Sequence, residues 1–320
     1  MTETPQKPDL SATLKSQDTE EWIDIHFTRP LGLRWALFFN HFNVHPNVVT
    51  ILSMVLGVAA AVMFYFPDLI HTVVGILLLV WANLYDSADG QLARMTGKKT
   101  LWGRILDGFA GDLWFFSIYV ALCIRLHDQP IPGTDMPWGL WIWVLAIIAG
   151  VICHGPQSRL ADYYRNIHLY FLKGESGSEL QSTVNLREEF KSLRWSKDWA
   201  WKFFLYFYID YTARQERVTP AFQRLIALLH KRFGSTADRF PLELRQTFRA
   251  GSLPLMKYTN ILTFNVRAIV LYICLLLGQP WIYMAFEITV MNLIYFYMRS
   301  RHESLCRRLY NQYQVTSADA

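Results

Sequence analysis

Six apolar segments constrain the fold of this chain more than any other feature of its sequence. Each approaches the roughly 20 residues that a helix needs to cross a bilayer. They are Val48 to Phe66, His71 to Leu84, Ile105 to Leu126, Trp138 to Cys153, Ile261 to Leu277 and Trp281 to Met298. The composition, with 52% hydrophobic and only 18% charged residues, agrees with this interpretation. The sequence therefore predicts an all-α integral membrane protein with six transmembrane helices.

Lysine and arginine are concentrated in alternate loops, and this bias predicts how the helices are oriented. Gly97 to Arg104, Arg159 to Lys257 and Arg299 to Arg308 are rich in lysine or arginine, whereas Asp128 to Pro137 contains neither residue. Because positive loops remain on the cytoplasmic side, both termini are expected in the cytoplasm. A bacterial inner membrane is favoured over the endoplasmic reticulum. The net charge of +5 is modest, which favours membrane lipids over nucleic acid as partners.

The polar segments divide the rest of the chain. Trp22 to His41 mixes aromatic, aliphatic and basic residues, as an amphipathic helix in the membrane interface does. The insertion between the fourth and fifth spans is too hydrophobic for a disordered loop, and helices are expected at Glu188 to Tyr208 and Thr219 to Phe233. The predicted regions are a polar tail (1–21), the interfacial helix (22–47), helices 1–4 (48–156), a cytoplasmic helical insertion (157–258), helices 5–6 (259–298) and a cytoplasmic tail (299–320).

Four aspartates lie where the second and third apolar segments meet. Asp86 and Asp89 are three residues apart, so on a helix their side chains leave the same face. Asp107 begins the next apolar segment after a short polar loop, and two antiparallel helices would bring these carboxylates together. Carboxylates at a membrane edge are costly without a cation, and hard divalent cations prefer oxygen ligands. The sequence therefore predicts a site for one or two Mg²⁺ or Mn²⁺ ions.

Glycine and arginine residues near the aspartates suit a ligand that contains phosphate. Without a β-carbon, Gly90 and Gly103 allow a nucleotide or a second backbone to come close. The guanidinium of Arg94 can pair with two phosphate oxygens, and divalent ions commonly bridge diphosphate oxygens. A cation transporter is the alternative, but it predicts charges near the bilayer midplane on broken helices.

The segment from Asp86 to Asp107 reads Asp-x2-Asp-Gly-x2-Ala-Arg-x8-Gly-x3-Asp. This pattern resembles the signature of the CDP-alcohol phosphotransferase (CDP-alcohol phosphatidyltransferase) family. Pro46-Asn47-x2-Thr50, at the start of the first span, also resembles that family, and the resemblance covers about residues 30 to 126.

The resemblance implies a homodimeric six-helix enzyme of phospholipid or related lipid biosynthesis. Such an enzyme transfers a substituted phosphate from a CDP-linked donor to a hydroxyl acceptor, at least one of them a lipid, and releases CMP. The donor could be CDP-diacylglycerol or a soluble CDP-linked head group. By position, the resemblance implies metal ligands at Asp86, Asp89 and Asp107 and contacts to the CDP moiety from Gly90, Ala93, Arg94 and Gly103.

The sequence departs from the family pattern at the last aspartate, which would fall at Gly111. In the family this residue is the proposed general base and also contacts metal. The next carboxylate here is Asp112, which would point away from the others on a regular helix. A one-residue π-bulge near Gly108 could restore its direction and both roles. Otherwise another group serves as base, or turnover is lost and the chain binds CDP-lipid as a silent scaffold.

Charged residues outside the motif have two interpretations each. Arg267 and Glu287 lie inside the last two spans, where they could form a structural ion pair or a functional site. Arg159 and Arg165 follow the fourth span and are either positive-inside anchors or part of an acceptor-binding site. His154 is expected to be a satisfied polar residue of the core.

Overall fold

The computed structural model describes residues 16, 18–98, 100–174 and 177–315. The described residues are 83% helical and contain no strand beyond one isolated bridge between Pro130 and Pro137. Six helices are long and apolar enough to cross a membrane. These observations confirm the predicted all-α fold with six spans.

The helices are labelled in chain order. They are α1 (Arg29–His41), α2 (Pro46–Tyr65), α3 (Leu69–Thr96), α4 (Leu101–Leu126), α5 (Leu140–Lys173), α6 (Thr183–Ser192), α7 (Trp195–Val218), α8 (Pro220–Phe233), α9 (Leu242–Ile261), α10 (Phe264–Leu276), α11 (Trp281–Ile288) and α12 (Val290–Val315). A π-helical turn, Asp24–Thr28, precedes α1, and a second, Ile147–His154, lies within α5. The spans are α2, α3, α4 from Ile105, α5, Leu242–Leu276 and Trp281–Gln314.

Short local signals set the ends of the two helices that carry the aspartates. The Asp68 carboxylate accepts a hydrogen bond from the His71 amide and begins α3, and this bond lowers the pKa of Asp68. Gly97, with a φ of 68°, ends α3 in the left-handed conformation that glycine adopts most easily. The Thr100 hydroxyl then accepts a hydrogen bond from the Gly103 amide at 2.9 Å and begins α4. The polar loop between α3 and α4 is therefore kept short.

Helix α2 packs closely against α3 and α4 through glycines. A β-carbon on Gly57 would lie 2.0 Å from the Trp114 ring, and one on Gly75 would lie 2.6 Å from the Phe64 ring. The indole nitrogen of Trp114 also donates a hydrogen bond to the Ser53 carbonyl at 3.1 Å. Small residues of this kind let transmembrane helices approach each other. The close packing holds both α3 and α4 against α2.

Helix α1 is amphipathic. Its Phe39 and Ala36 are buried, and Phe39 packs edge-on against Tyr85 of α3 with ring centroids 5.2 Å apart. On its other face Phe38 is 50% exposed, and Phe42, directly after the helix, is 62% exposed. One face of α1 therefore covers the end of α3 that carries Asp86 and Asp89.

The chain divides into two compact units. The first contains the residues up to His154 together with Arg267–Ile288, and the second contains Gly155–Val266 and the residues from Thr289 onward. The acidic motif lies in the first unit. The core of the second unit includes Phe171 stacked on Phe248, with ring centroids 3.8 Å apart. The insertion predicted over 157–258 thus contributes most of a packed helical unit.

The helix predicted over Glu188 to Tyr208 is wrong in its extent. The chain is extended at Leu193 and Arg194, which separate α6 from α7. The Asp198 carboxylate accepts a hydrogen bond from the Arg194 amide at 3.2 Å, and the Lys202 ammonium donates one to the Leu193 carbonyl at 2.9 Å. These side-chain bonds replace the helical backbone bonds at this point. The predicted helix over Thr219 to Phe233 is confirmed by α8.

Candidate metal centre

Three carboxylates meet where α3 ends and α4 begins. Asp86 and Asp89 come from α3 and Asp107 from α4, and one oxygen from each lies within 4.8 Å of the other two. Asp89 is buried, Asp86 is half-buried and Asp107 is exposed. The i, i+3 spacing on α3 and the short loop to α4 produce this arrangement. The predicted convergence of these three side chains is therefore present in the fold.

The charges of Asp86 and Asp89 are not compensated by an ion pair with any described residue. Arg29 and Arg94 are close enough to act electrostatically on the two carboxylates without pairing with them. Carboxylates so close together repel each other unless a cation lies between them. Three oxygen donors at this spacing fit a hard divalent cation such as Mg²⁺ or Mn²⁺.

Thr50 positions one of the three carboxylates, and the sequence interpretation did not assign it that role. Its hydroxyl donates a hydrogen bond to the Asp89 carboxylate from the start of the second turn of α2, four residues after Pro46. This bond fixes the orientation of the Asp89 carboxylate. The Pro46-Asn47-x2-Thr50 pattern at the start of the first span was the signal that could have identified Thr50.

Arg94 is a partly buried cation beside the cluster. It lies four residues after Gly90, and a β-carbon on Gly90 would meet its guanidinium at 3.4 Å. Its Nε and Nη2 atoms are buried and have no hydrogen-bond acceptor among the described residues. A buried donor without an acceptor is costly. A phosphate oxygen would satisfy it, as the sequence interpretation expects.

The two other residues expected around the CDP moiety lie near the same helix ends. Ala93 is half-buried on α3, four residues after Asp89. Gly103 lies in the first turn of α4, where a β-carbon would come within 2.9 Å of the Asn47 amide oxygen. Close packing of α4 against Asn47 is thus sufficient reason for a glycine at 103. Contact of Ala93 and Gly103 with a nucleotide stays a prediction.

Asp112 is not a member of the three-carboxylate group found among the described residues. Helix α4 is α-helical throughout its length, so it has no π-bulge near Gly108. Asp112 follows Asp107 by five residues, which places it about 140° away around the helix. Gly111 instead lies one turn after Asp107, and a β-carbon there would meet nothing within 4 Å. Where the family has its last aspartate, this helix therefore has an open space.

Arg159 and Arg165 lie on α5 in the second unit. The Arg159 guanidinium lies over the Tyr211 ring, 5.8 Å from its centroid. An Arg165 nitrogen donates a hydrogen bond to the Asn260 side chain at 3.3 Å. Arg159 also lines a cavity of about 200 Å³ that contains Arg214. Their role toward an acceptor stays a prediction.

Arg267 and Glu287 form the ion pair that was one of the two expectations. Both side chains are fully buried and an Arg267 nitrogen donates to the Glu287 carboxylate. His154 is also buried, with its Nδ1 3.8 Å from a Glu287 oxygen, which is longer than a hydrogen bond. Desolvated charges of opposite sign compensate each other in this part of the first unit.

The fold defines a helical integral membrane protein, and its acidic cluster brings together three carboxylates suited to a divalent cation. Residues 43–155 match the family model for CDP-alcohol phosphatidyltransferase. The chain therefore carries a CDP-alcohol phosphatidyltransferase domain, and the resemblance in the sequence is confirmed.

Several characterised and uncharacterised relatives are similar over part of the chain. An archaetidylinositol phosphate synthase from Pyrococcus horikoshii is 35% identical over 82 residues, which are 26% of this chain and 42% of that protein. A bifunctional IPC transferase and DIPP synthase from Aquifex aeolicus is 29% identical over 107 residues, 33% of this chain and 22% of the relative. An uncharacterised protein from the same organism is 39% identical over 70 residues, 22% of this chain and 34% of its own length.

The chain spans less than half of the length of each of these relatives. No solved structure matches it.

Proposed function

We propose that this protein transfers a substituted phosphate group from a CDP-linked donor to a hydroxyl acceptor and releases CMP. The observation that carries this proposal is the three-carboxylate cluster of Asp86, Asp89 and Asp107 within the matched domain. At least one of the two substrates is a lipid, because the site lies among membrane-spanning helices and a similar protein is named as an archaetidylinositol phosphate synthase. The donor is CDP-diacylglycerol or a CDP-linked head group.

Asp86, Asp89 and Asp107 would hold Mg²⁺ or Mn²⁺ in this proposal. A bound divalent ion would neutralise the diphosphate of the donor and stabilise the departing CMP. Thr50 orients Asp89 through its hydrogen bond. The open backbone at Gly90, together with Ala93 and Gly103, would admit the CDP moiety next to these carboxylates.

Arg94 would pair with a phosphate oxygen of the donor. Its two buried, unpaired nitrogens support this assignment, because a guanidinium binds phosphate through charge-assisted hydrogen bonds. Its charge would also favour the negative charge that develops on the leaving phosphate. Arg94 would therefore bind the donor phosphate directly, with no metal ion between them.

Asp112 is the proposed acceptor of the proton that the attacking hydroxyl loses. It lies one residue beyond the family position and about 140° from Asp107 around α4, so this role requires a local change in α4 that turns the Asp112 side chain toward the donor phosphate. Arg159 and Arg165 would contribute to binding a phosphorylated or acidic acceptor.

Release of CMP by the purified protein tests the function directly. The protein in detergent is incubated with radiolabelled CDP-diacylglycerol, CDP-choline or CDP-ethanolamine and a panel of hydroxyl acceptors, with Mg²⁺, Mn²⁺ or EDTA. We expect release of CMP that depends on both an acceptor and a divalent ion. Turnover that EDTA leaves unchanged would contradict the proposed role of the cluster. Ion flux in proteoliposomes without CMP release would instead identify a cation transporter.

A second function is favoured by one observation. Gly111 stands where the family has its last aspartate, and the space beside it is open. The chain would then be a catalytically silent member that binds CDP-lipid as a scaffold. Binding of CDP-diacylglycerol, measured by calorimetry, without CMP release for any acceptor would support this function. Loss of CMP release in Asp112→Asn would contradict it, because a silent protein has no turnover to lose.

The proposed orientation places both termini and the acidic cluster on the cytoplasmic side of a bacterial inner membrane. The positive loops Gly97 to Arg104 and Arg299 to Arg308 support it. Single cysteines introduced at exposed residues Lys98 and Asp128 would report the two sides of the membrane. We expect that a membrane-impermeant thiol reagent added to intact cells reaches position 128 and not position 98. A homodimer stays a prediction from the family resemblance.

A further inference from the structure

The second unit contains an open cavity of about 440 Å³ that lies apart in sequence from the acidic motif. Three arginines line it, Arg224 from α8 and Arg299 and Arg307 from α12. None of them forms an ion pair with any described carboxylate. Three guanidinium groups around one cavity repel each other unless an anion binds between them. The cavity is therefore suited to a negatively charged ligand.

One carboxylate, Glu303, also lines the cavity and offsets one of the three arginine charges, which leaves a net formal charge of +2. Its two oxygens accept hydrogen bonds from the backbone amides of Ala221 at 2.7 Å and Phe222 at 3.4 Å, at the start of α8. Glu303 thus caps the positive end of a helix. The capped helix end is closed to a ligand, and the arginine charges remain available.

The remaining bonds leave part of each guanidinium available. Arg299 donates only its Nε to the Val218 carbonyl, at 2.8 Å, and Arg307 donates its Nε to the Glu303 carbonyl at 3.4 Å. Arg224 is exposed and makes no hydrogen bond among the described residues. The terminal nitrogens of a guanidinium are the ones that form paired bonds with phosphate oxygens.

The position of the cavity along α12 indicates the kind of anion. Leu293, Phe296, Ser300, Glu303 and Arg307 are spaced three or four residues apart, so they follow one face of the helix. Leu293 and Phe296 are 71% and 58% exposed within the span Trp281–Gln314, as side chains that face lipid tails are. Phe296 itself lines the cavity. Leu293 and Phe296 therefore form an apolar track on one face of α12, and the arginines follow on the same helix.

We propose that this cavity binds the phosphate of an anionic phospholipid, whose acyl chain lies along Leu293 and Phe296. A free phosphate has the same charge chemistry but gains nothing from the apolar track. The change from exposed apolar residues to arginines within two helical turns corresponds to the depth of lipid head groups. The proposal is independent of the transfer reaction and concerns a lipid that regulates or anchors the second unit.

Native mass spectrometry of the full-length protein tests this site. The protein is reconstituted into nanodiscs of phosphatidylcholine with phosphatidylglycerol, extracted in mild detergent, and the phosphatidylglycerol that remains bound is measured. The variant Arg224→Gln/Arg307→Gln keeps Arg299, which holds the Val218 carbonyl. The matched control is Arg301→Gln/Arg308→Gln, which removes two exposed arginines of the same helix that do not line the cavity.

We expect the cavity variant to retain about thirtyfold less phosphatidylglycerol than the unchanged protein, and the control to stay within about twofold. Equal retention in the two double variants would overturn the proposal. If Arg224→Gln/Arg307→Gln does not fold, Arg224→Gln alone is measured, because its side chain is exposed. Binding of inorganic phosphate as tight as that of phosphatidylglycerol would identify a free-anion site and would also overturn the proposal.

Discussion

Buried carboxylates occur in two places in the first unit, and the two places differ in what compensates their charge. Glu287 is fully buried and lies against Arg267, a cation supplied by the same chain. Asp89 is equally inaccessible, yet among the described residues it and Asp86 have no salt bridge. Burial of a charge is costly unless an opposite charge or a metal accompanies it or the group is neutralised. The comparison therefore separates a structural pair that is compensated within the chain from a cluster for which we propose an external cation.

The two places should also respond differently when one charge is removed. A charge removed from the Arg267–Glu287 pair leaves its partner buried and unpaired, so stability falls. A charge removed from the aspartate cluster reduces repulsion in the metal-free protein, so folding is preserved while metal binding is lost. Activity therefore reports on the aspartate cluster, and the free energy of unfolding reports on the Arg267–Glu287 pair.

Asp107→Asn should have the largest effect, on activity. An amide is a weaker ligand for Mg²⁺ or Mn²⁺ than a carboxylate, and we expect CMP release to fall about a thousandfold, or ~4 kcal/mol of transition-state stabilisation. The variant should still insert and elute as a folded protein, because Asp107 is exposed. Asp128→Asn, in an exposed loop of the same unit, serves as the control. Substantial activity in Asp107→Asn would remove the cluster from the mechanism.

Arg267→Gln should instead reduce stability. It leaves Glu287 as an uncompensated buried charge, and we expect a loss of about 3 kcal/mol in the free energy of unfolding. Unfolding of the purified protein in mixed micelles at increasing SDS concentration measures this loss. The double variant Arg267→Met/Glu287→Met should recover most of it, because the unpaired charge is gone. If Arg267→Gln were as stable as the unchanged protein, the pair would not be structural.

Gly90→Ala should reduce activity without reducing stability. A β-carbon at 90 meets only the flexible Arg94 guanidinium, at 3.4 Å, so the protein itself has room for it. A ligand against the backbone would not have that room, and we expect CMP release about thirtyfold lower, or ~2 kcal/mol. Gly108→Ala is the matched control, since nothing lies within 4 Å of a β-carbon there. Equal activity in the two variants would exclude close approach of the substrate to Gly90.

Thr50→Val should have the smallest effect. It keeps the shape of the side chain but removes the hydrogen bond to Asp89. We expect an apparent affinity for Mn²⁺ about fivefold lower, or ~1 kcal/mol. The dependence of CMP release on Mn²⁺ concentration measures this effect. Excess Mn²⁺ should restore the rate, whereas a rate that excess metal does not restore would indicate another role for Thr50.

The sequence was sufficient for the parts of the fold that depend on long apolar runs and on helical spacing. The number of spans follows from hydrophobic length, and the convergence of Asp86, Asp89 and Asp107 follows from an i, i+3 pair and a short loop. The break between α6 and α7 could not be predicted, because Asp198 and Lys202 act through individual hydrogen bonds that periodicity does not reveal.

Two features of the site could be recognised only from the three-dimensional structure. The bond from Thr50 to Asp89 joins residues 39 positions apart, so only the packing of α2 against α3 reveals it. The direction of Asp112 depended on whether α4 contains a π-bulge, which its glycines permit but do not require. The regular α-helix at this position decides which way the side chain points.

Electron paramagnetic resonance of Mn²⁺ tests the central claim most directly, because it measures metal binding without substrate or turnover. The unchanged protein, Asp107→Asn and Glu287→Gln are titrated with Mn²⁺ after removal of metal with EDTA. Bound Mn²⁺ should be found in the unchanged protein and in folded Glu287→Gln, and should be lost in Asp107→Asn. Equal Mn²⁺ binding by Asp107→Asn and the unchanged protein would contradict the assignment of the aspartate cluster as the metal site.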